Sequence, residues 1–87
     1  MLELKDFEEA KKRVDEVIIP TPLIYSPAFS KECRNIVYIK PENLQRTGAF
    51  KIRGAYNKIM KMDDESKSRG LIASSAGNHA QGVAYAA

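Results

Sequence analysis

One stretch constrains this chain more than any other: Lys40 to Ala55, Lys-Pro-Glu-Asn-Leu-Gln-Arg-Thr-Gly-Ala-Phe-Lys-Ile-Arg-Gly-Ala, where a strand end, a polar turn and a helix start must meet around Lys51. Upstream, Ile36, Val37, Tyr38 and Ile39 form a β-branched and aromatic run that predicts a short strand, stopped by Pro41. Downstream, Ile52, Ala55, Tyr56 and Ile59 recur at helical spacing, with Arg53, Asn57, Lys58 and Lys61 elsewhere around the turn. Residues 42–49 are then the connection, and Lys51 falls on the first turn of the helix. A lysine there feels the positive end of the backbone dipole, which disfavours the ammonium form and favours a nucleophilic neutral amine. Its neighbours at i+3 and i+4, Gly54 and Ala55, are too small to crowd it, and Phe50 offers an apolar flank. An isolated lysine in this setting would read as an ordinary snorkelling surface residue.

The surrounding motif changes that reading. Ala49-Phe50-Lys51-Ile52-Arg53-Gly54-Ala55 resembles the cofactor-bearing segment of the fold-type-II pyridoxal-phosphate enzymes, nearest the threonine/serine dehydratase (threonine ammonia-lyase) and serine racemase branch. Its usual wording is Ser-Phe-Lys-Ile/Leu-Arg-Gly-Ala, so six of seven positions agree. Cysteine synthase and threonine synthase carry Asp-Arg just after the lysine, so Ile52 and Arg53 favour the dehydratase branch. Ala49 departs from the pattern by lacking the hydroxyl, and Thr47 stands near enough to cap the helix instead.

A second stretch, Ser74-Ser75-Ala76-Gly77-Asn78-His79-Ala80-Gln81-Gly82, reads as strand, tight turn and helix start, with Ala80, Val83, Ala84 and Ala87 at helical spacing. Free N–H groups at such a start form an anion site suited to an amino-acid carboxylate. Alone, a Ser-Gly-Asn-His turn is a weak signal. Beside the Lys51 motif it resembles the branch's Ser-Ala/Ser-Gly-Asn-His-Ala/Gly-Gln element. The resemblance implies that Asn78 contacts the cofactor's phenolic oxygen and that Ser75, Ala76, Gly77 and His79 line the substrate-carboxylate site. It also implies pyridoxal 5'-phosphate as cofactor, attached to Lys51 with Phe50 beside it. His79 alone reads more readily as a structural histidine than as a general base.

The remainder of the chain supports these stretches. Phe7, Ala10, Val14 and Val17 give an amphipathic stripe, predicting a helix over 5–18 with Asp6 and Glu9 as a weak capping box. Pro20 and Pro22 end it, and Tyr25 to Pro27 is extended or turning because residues before proline avoid the α region. Residues 28–34 fit one or two helical turns that pack. Glu42 reads as a structural residue satisfying the turn, and Lys40, the rival nucleophile, has neither the dipole nor the small neighbours. Asp63, Asp64 and Glu65 lack the spacing of a calcium loop and read as a solvated connection. Gly70 marks a turn before Leu71-Ile72-Ala73-Ser74, a buried strand by its apolar run.

Charge and composition exclude other classes. Fourteen basic and eleven acidic residues, mixed along the chain, give +3 without the basic stripe and stacking aromatics of a nucleic-acid surface. A basic binding module would account for the charge and for none of the motifs. One cysteine, Cys33, and one histidine leave no zinc set, so no metal is expected. The charged first ten residues rule out a signal peptide's apolar core, no membrane partner is expected, and a cytoplasmic setting follows by default.

The expected fold class is α/β, built of βαβ units. The resemblance implies an incomplete, N-terminal part of a fold-type-II (tryptophan synthase beta-like) enzyme, since family members are several-fold longer than 87 residues and the chain ends at helical composition. It places residues 1–52 in the large cofactor domain and 53–87 at the start of the smaller mobile domain. The implied chemistry of the complete enzyme is α,β-elimination from threonine or serine to a 2-oxo acid and ammonia, as in isoleucine biosynthesis, within a homo-oligomer. The 87 residues alone are expected to be inactive. Serine racemase and a non-catalytic fragment are the alternatives; a racemase of this resemblance has a serine where this chain has Ala76.

Overall fold

The computed structural model describes all 87 residues. Its centre is the helix that Lys51 begins: α3, numbered in chain order after α1 (Leu4–Val14) and α2 (Pro27–Cys33), spans Lys51–Met60, and α4 (Asp64–Ser68) and α5 (Asn78–Ala86) follow. Strands β1 (Ile24–Tyr25) and β2 (Tyr38–Ile39) pair antiparallel, Ile24 opposite Ile39 and Tyr25 opposite Tyr38. Two single 3-10 turns, Glu42–Leu44 and Arg46–Gly48, carry the chain from β2 to α3.

Helix α3 buries the stripe its periodicity predicts: Ile52 is fully enclosed and Ala55 nearly so. Against one side lies α1, whose Val14 is buried, while Arg13 Nε donates to Asn57 Oδ1 (2.7 Å) and Tyr56 Oη donates to Glu16 Oε2 (3.0 Å). That carboxylate raises the Tyr56 phenol above its ordinary 10.0. Against the other side lies α5.

The expected first helix is shorter than its apolar stripe. It ends at Val14, after which Val17 and Ile18 N–H groups both turn back to the Val14 carbonyl. Its start also differs, because Asp6 pairs with Glu3 instead of Glu9: the Asp6 carboxylate accepts the Glu3 N–H at 2.8 Å. Helix α2 starts one residue before the expected 28–34, with Pro27 in its first turn and the Ser26 hydroxyl accepting the Phe29 N–H, and the expected packing pair, Phe29 and Cys33, stays exposed while Ser30 is buried. The acidic connection at 63–65 is not a plain loop. Asp63 caps α4 by accepting the Ser66 N–H at 2.6 Å, which holds its carboxyl below the ordinary 3.8.

The strand content departs furthest from expectation. Residues 71–74 have strand composition but form no ladder, and Ile72 is wholly exposed. A strand needs a partner backbone, and no other segment of these residues runs beside it. Helix α2 does link two strands, but they are antiparallel, so the expected parallel βαβ unit does not form within the chain. The architecture is mixed α/β, mostly helical with one small sheet.

Only eight of 87 residues are buried, and the accessible surface is 6856 Å². A compact monomer of this mass exposes about 5,100 Å². Its radius of gyration of 16.0 Å likewise exceeds the roughly 12 Å of a compact domain this long. Phe7, Leu23, Ile36 and Ile72 are among the large apolar side chains left in solvent. No helix is long and apolar enough to cross a membrane.

Candidate active site

The loop before Lys51 is held by side chains reaching across sequence. Gln45 pairs with the backbone of Ile19 as a strand would, its Oε1 accepting the Ile19 N–H and its Nε2 donating to the Ile19 carbonyl, both at 2.8 Å. Two residues on, Thr21 Oγ1 donates to Glu42 Oε1 (2.8 Å), and Lys40 Nζ donates to the Thr21 carbonyl (2.6 Å). The same Glu42 carboxylate grips Arg53 with both oxygens, Nη2 to Oε1 at 2.7 Å and Nε to Oε2 at 3.2 Å. This fork-to-fork geometry is the strong form of an ion pair. With only 17% of the Glu42 side chain exposed, the Arg53 hydrogen bonds hold its carboxyl below the ordinary 4.5 in spite of desolvation. Glu42 is therefore the structural residue it reads as, and Lys40 is committed to the Thr21 carbonyl.

Those clamps end at a strained turn. Thr47 lies at φ 61°, unusual for a β-branched residue, followed by Gly48 at φ 71°. The expected Thr47 cap is absent: its Oγ1 is enclosed without a partner, and the residue before α3 is Phe50, which supplies no capping side chain. Ala49 is buried, so the methyl that replaces the usual hydroxyl packs inward.

Lys51 is the first residue of α3, as its spacing predicts, and it is exposed. Its Nζ rests 4.9 Å from the centre of the Phe50 ring. The ring face attracts a cation, so this contact holds the amine against Phe50. Phe50 is itself 58% exposed, so within this chain the flank it offers is open to water. Gly54 leaves free space on the next turn.

The second stretch reaches this lysine through Gly82, buried in α5. A Cβ at that position would stand 3.2 Å from Lys51 C and Cβ and 3.3 Å from Ile52 N, so α5 lies against the α3 backbone at the lysine itself. Asn78 begins α5 one turn before Gly82 on the same face, so the residue expected to meet the cofactor's phenolic oxygen belongs to the helix seated on Lys51. Ser75, Ala76 and Gly77 are exposed, and the Gly77 N–H donates to Ser75 Oγ (3.2 Å). His79 lines a hollow with Ala55, Ile59, Leu71 and Val83, between α3, α5 and the segment after Gly70. No three His, Cys, Asp or Glu side chains converge as a metal set.

The sequence reading passes over Gly82, Gln45 and the partner of Arg53. A glycine interrupting a helical pattern is the available signal for the first, because such a glycine usually has a packing reason. Nothing local marks the other two.

An accessible primary amine at a helix start, an amide one helix away and uncapped N–H groups suit an aldehyde that also bears anionic groups. The family model described as pyridoxal-phosphate dependent enzyme matches residues 14–87. The chain is 52% identical over all 87 residues to an L-threonine ammonia-lyase from Thermotoga maritima, covering 22% of that protein. It is 46% identical over its whole length to a biosynthetic L-threonine dehydratase from Lactococcus lactis, covering 21%. Among solved structures, the serine racemase from Dictyostelium discoideum superposes with TM-score 0.90 at 42% identity, over 98% of this chain and 28% of that one. A threonine deaminase from T.th. superposes with TM-score 0.83 at 40% identity, over 98% and 30%. The chain thus spans about a fifth of the length of the curated relatives it matches, and it belongs to the pyridoxal-phosphate dependent enzyme family.

Proposed function

We infer that this segment supplies the attachment lysine and part of the substrate site of a threonine dehydratase (threonine ammonia-lyase), which converts threonine or serine to a 2-oxo acid and ammonia. The observation that carries the reading is Lys51: exposed, first in its helix, free of bulk at Gly54, and backed by the helix that carries Asn78. Pyridoxal phosphate, when bound, supplies the electron-withdrawing ring that stabilises negative charge at the substrate's α-carbon. Lys51 would hold the cofactor, and its Nζ is the base that would take the substrate's α-proton. Asn78 orients the cofactor from the start of α5. Ser75, Ala76, Gly77 and His79 form the loop for the substrate carboxylate, where the backbone N–H groups of the helix start favour an anion. Phe50 flanks the amine and excludes water once the remaining protein covers it.

The same reading divides the chain between residues 52 and 53, with the start of the large cofactor domain before and the mobile domain after. It places the enzyme in the cytoplasm as a homo-oligomer. On this reading the isolated segment is inactive, and its exposed apolar surface supports self-association.

Borohydride reduction of the full-length protein carrying this segment, followed by peptide mapping, tests the assignment. Label on Lys51 is expected; label on Lys40 or Lys58 would sink it.

A racemase is the second reading, favoured by the superposition on serine racemase. Inverting an amino acid requires a proton donor on each face of the α-carbon, and Ala76 offers only a methyl group. The neighbouring Ser75 hydroxyl is turned to the Gly77 N–H. Elimination should therefore dominate, with Ala76→Ser raising racemisation relative to it. Incubation with L-serine in deuterated water, following pyruvate and D-serine together, measures the ratio. Rapid D-serine formation by the unmodified protein would reverse the choice.

A further inference from the structure

We propose that Gly82 is a positioning residue that sets the separation between Lys51 and Asn78, the two cofactor-directed side chains of this segment. The inference rests on the reading of Lys51 as the attachment lysine. Three features converge on it. First, the atoms a Cβ would meet are Lys51 C and Cβ and Ile52 N, at 3.2, 3.2 and 3.3 Å. Two of these are backbone atoms in the first turn of α3, beside the enclosed Ile52, and cannot swing aside as a flexible side chain would. Second, Gly82 lies inside α5, where glycine is a poor choice for the helix itself and no positive φ calls for it. Third, Asn78 and Gly82 are four apart on one helix face, so any displacement of α5 at Gly82 is carried to Asn78.

Added bulk at 82 must push α5 away from Lys51 by a few tenths of an ångström or more. Helix propensity and site geometry then predict opposite outcomes. By propensity alone, Gly82→Ala strengthens α5 and raises the melting temperature. By the contact, it moves Asn78 away from whatever Lys51 holds, and misplacement on the ångström scale lowers turnover by up to about 100-fold.

The test uses the full-length protein loaded with pyridoxal phosphate, with the attachment site first mapped by borohydride reduction in the unmodified enzyme. Gly82→Ala is expected to lower kcat about tenfold, with KM for L-threonine changed less than about twofold. The visible circular dichroism of the bound cofactor should fall with it, a signal that loss of stability alone would not alter in the folded fraction. Gly82→Val should go further or fail to fold, which leaves Gly82→Ala as the deciding variant. Label on Lys51 with unchanged dichroism and kcat, and a raised melting temperature in Gly82→Ala, overturns the role of Gly82 and leaves the Lys51 assignment standing. Label on another lysine overturns both.

Discussion

The two motifs of this chain are held in opposite ways. The loop that delivers Lys51 is fastened from several directions: Gln45 to both backbone groups of Ile19, Glu42 to Thr21 and Arg53, Lys40 to Thr21. The loop that leads to Asn78 has one internal bond, from the Gly77 N–H to Ser75, and it follows a segment with no ladder. A group that forms a covalent attachment gains from being fixed before its partner arrives, because orientation is then not lost from the reaction. A loop that must admit a substrate and close on it belongs to the less constrained part of a structure. The contrast suits the proposed roles of Lys51 as anchor and residues 75–79 as receiving loop.

The contrast breaks if the fastenings are not what hold the Lys51 loop. The largest stability effect should come from Arg53→Met in the full-length protein, which leaves the mostly enclosed Glu42 carboxylate without its charged partner and costs about 2–3 kcal/mol. Glu42→Gln together with Arg53→Met should recover part of that loss, since no unpaired charge remains; urea unfolding of the two single variants and the double variant gives the coupling. An Arg53→Met protein as stable as the parent would mean that the ion pair is ornamental.

Next is Gln45→Ala, which removes a nearly enclosed side chain and strips the N–H and carbonyl of the more exposed Ile19 of their partners, and should cost about 1–2 kcal/mol. Amide exchange at Ile19 should quicken in the same variant. Unchanged exchange would show that water or another group replaces the side chain without loss.

A smaller effect is one of pH. The folded Glu42 pKa lies below its ordinary 4.5, so the contribution of its charge is complete above that value and is lost as pH falls through the lowered folded value. Removing Arg53, the leading cause of the depression, should flatten the acid limb of the stability profile below about pH 4.5. An identical acid limb in parent and Arg53→Met would exclude Glu42 as its source.

The smallest change should be Ser75→Ala. Its hydroxyl accepts one N–H in an exposed turn, so stability should shift by no more than about 0.5 kcal/mol, even if substrate KM rises. A loss as large as that from Gln45→Ala would erase the distinction between the two loops.

Much of the site is written locally. Lys51 opens its helix, Ile52 and Ala55 face inward, and Asn78 begins α5, because apolar spacing and helix-start chemistry act within a few residues. The misread positions each depend on something distant or on an unusual backbone angle. Thr47 has the hydroxyl of a cap but sits at φ 61°, and residues 71–74 carry strand composition without a neighbour to pair with.

The sequence by itself determined the helix start at Lys51, the change from turn to helix within residues 74–82, the polar character of the turn between β2 and α3, and the family motif, since these are properties of adjacent residues. Only the tertiary structure decided that Glu42 grips Arg53 across eleven residues, that Gln45 stands in for a strand beside Ile19, and that Gly82 lets α5 rest on the Lys51 backbone. These contacts depend on the path of the chain through space, and a hydrogen bond or a van der Waals contact forms only where that path brings both partners within a few ångströms.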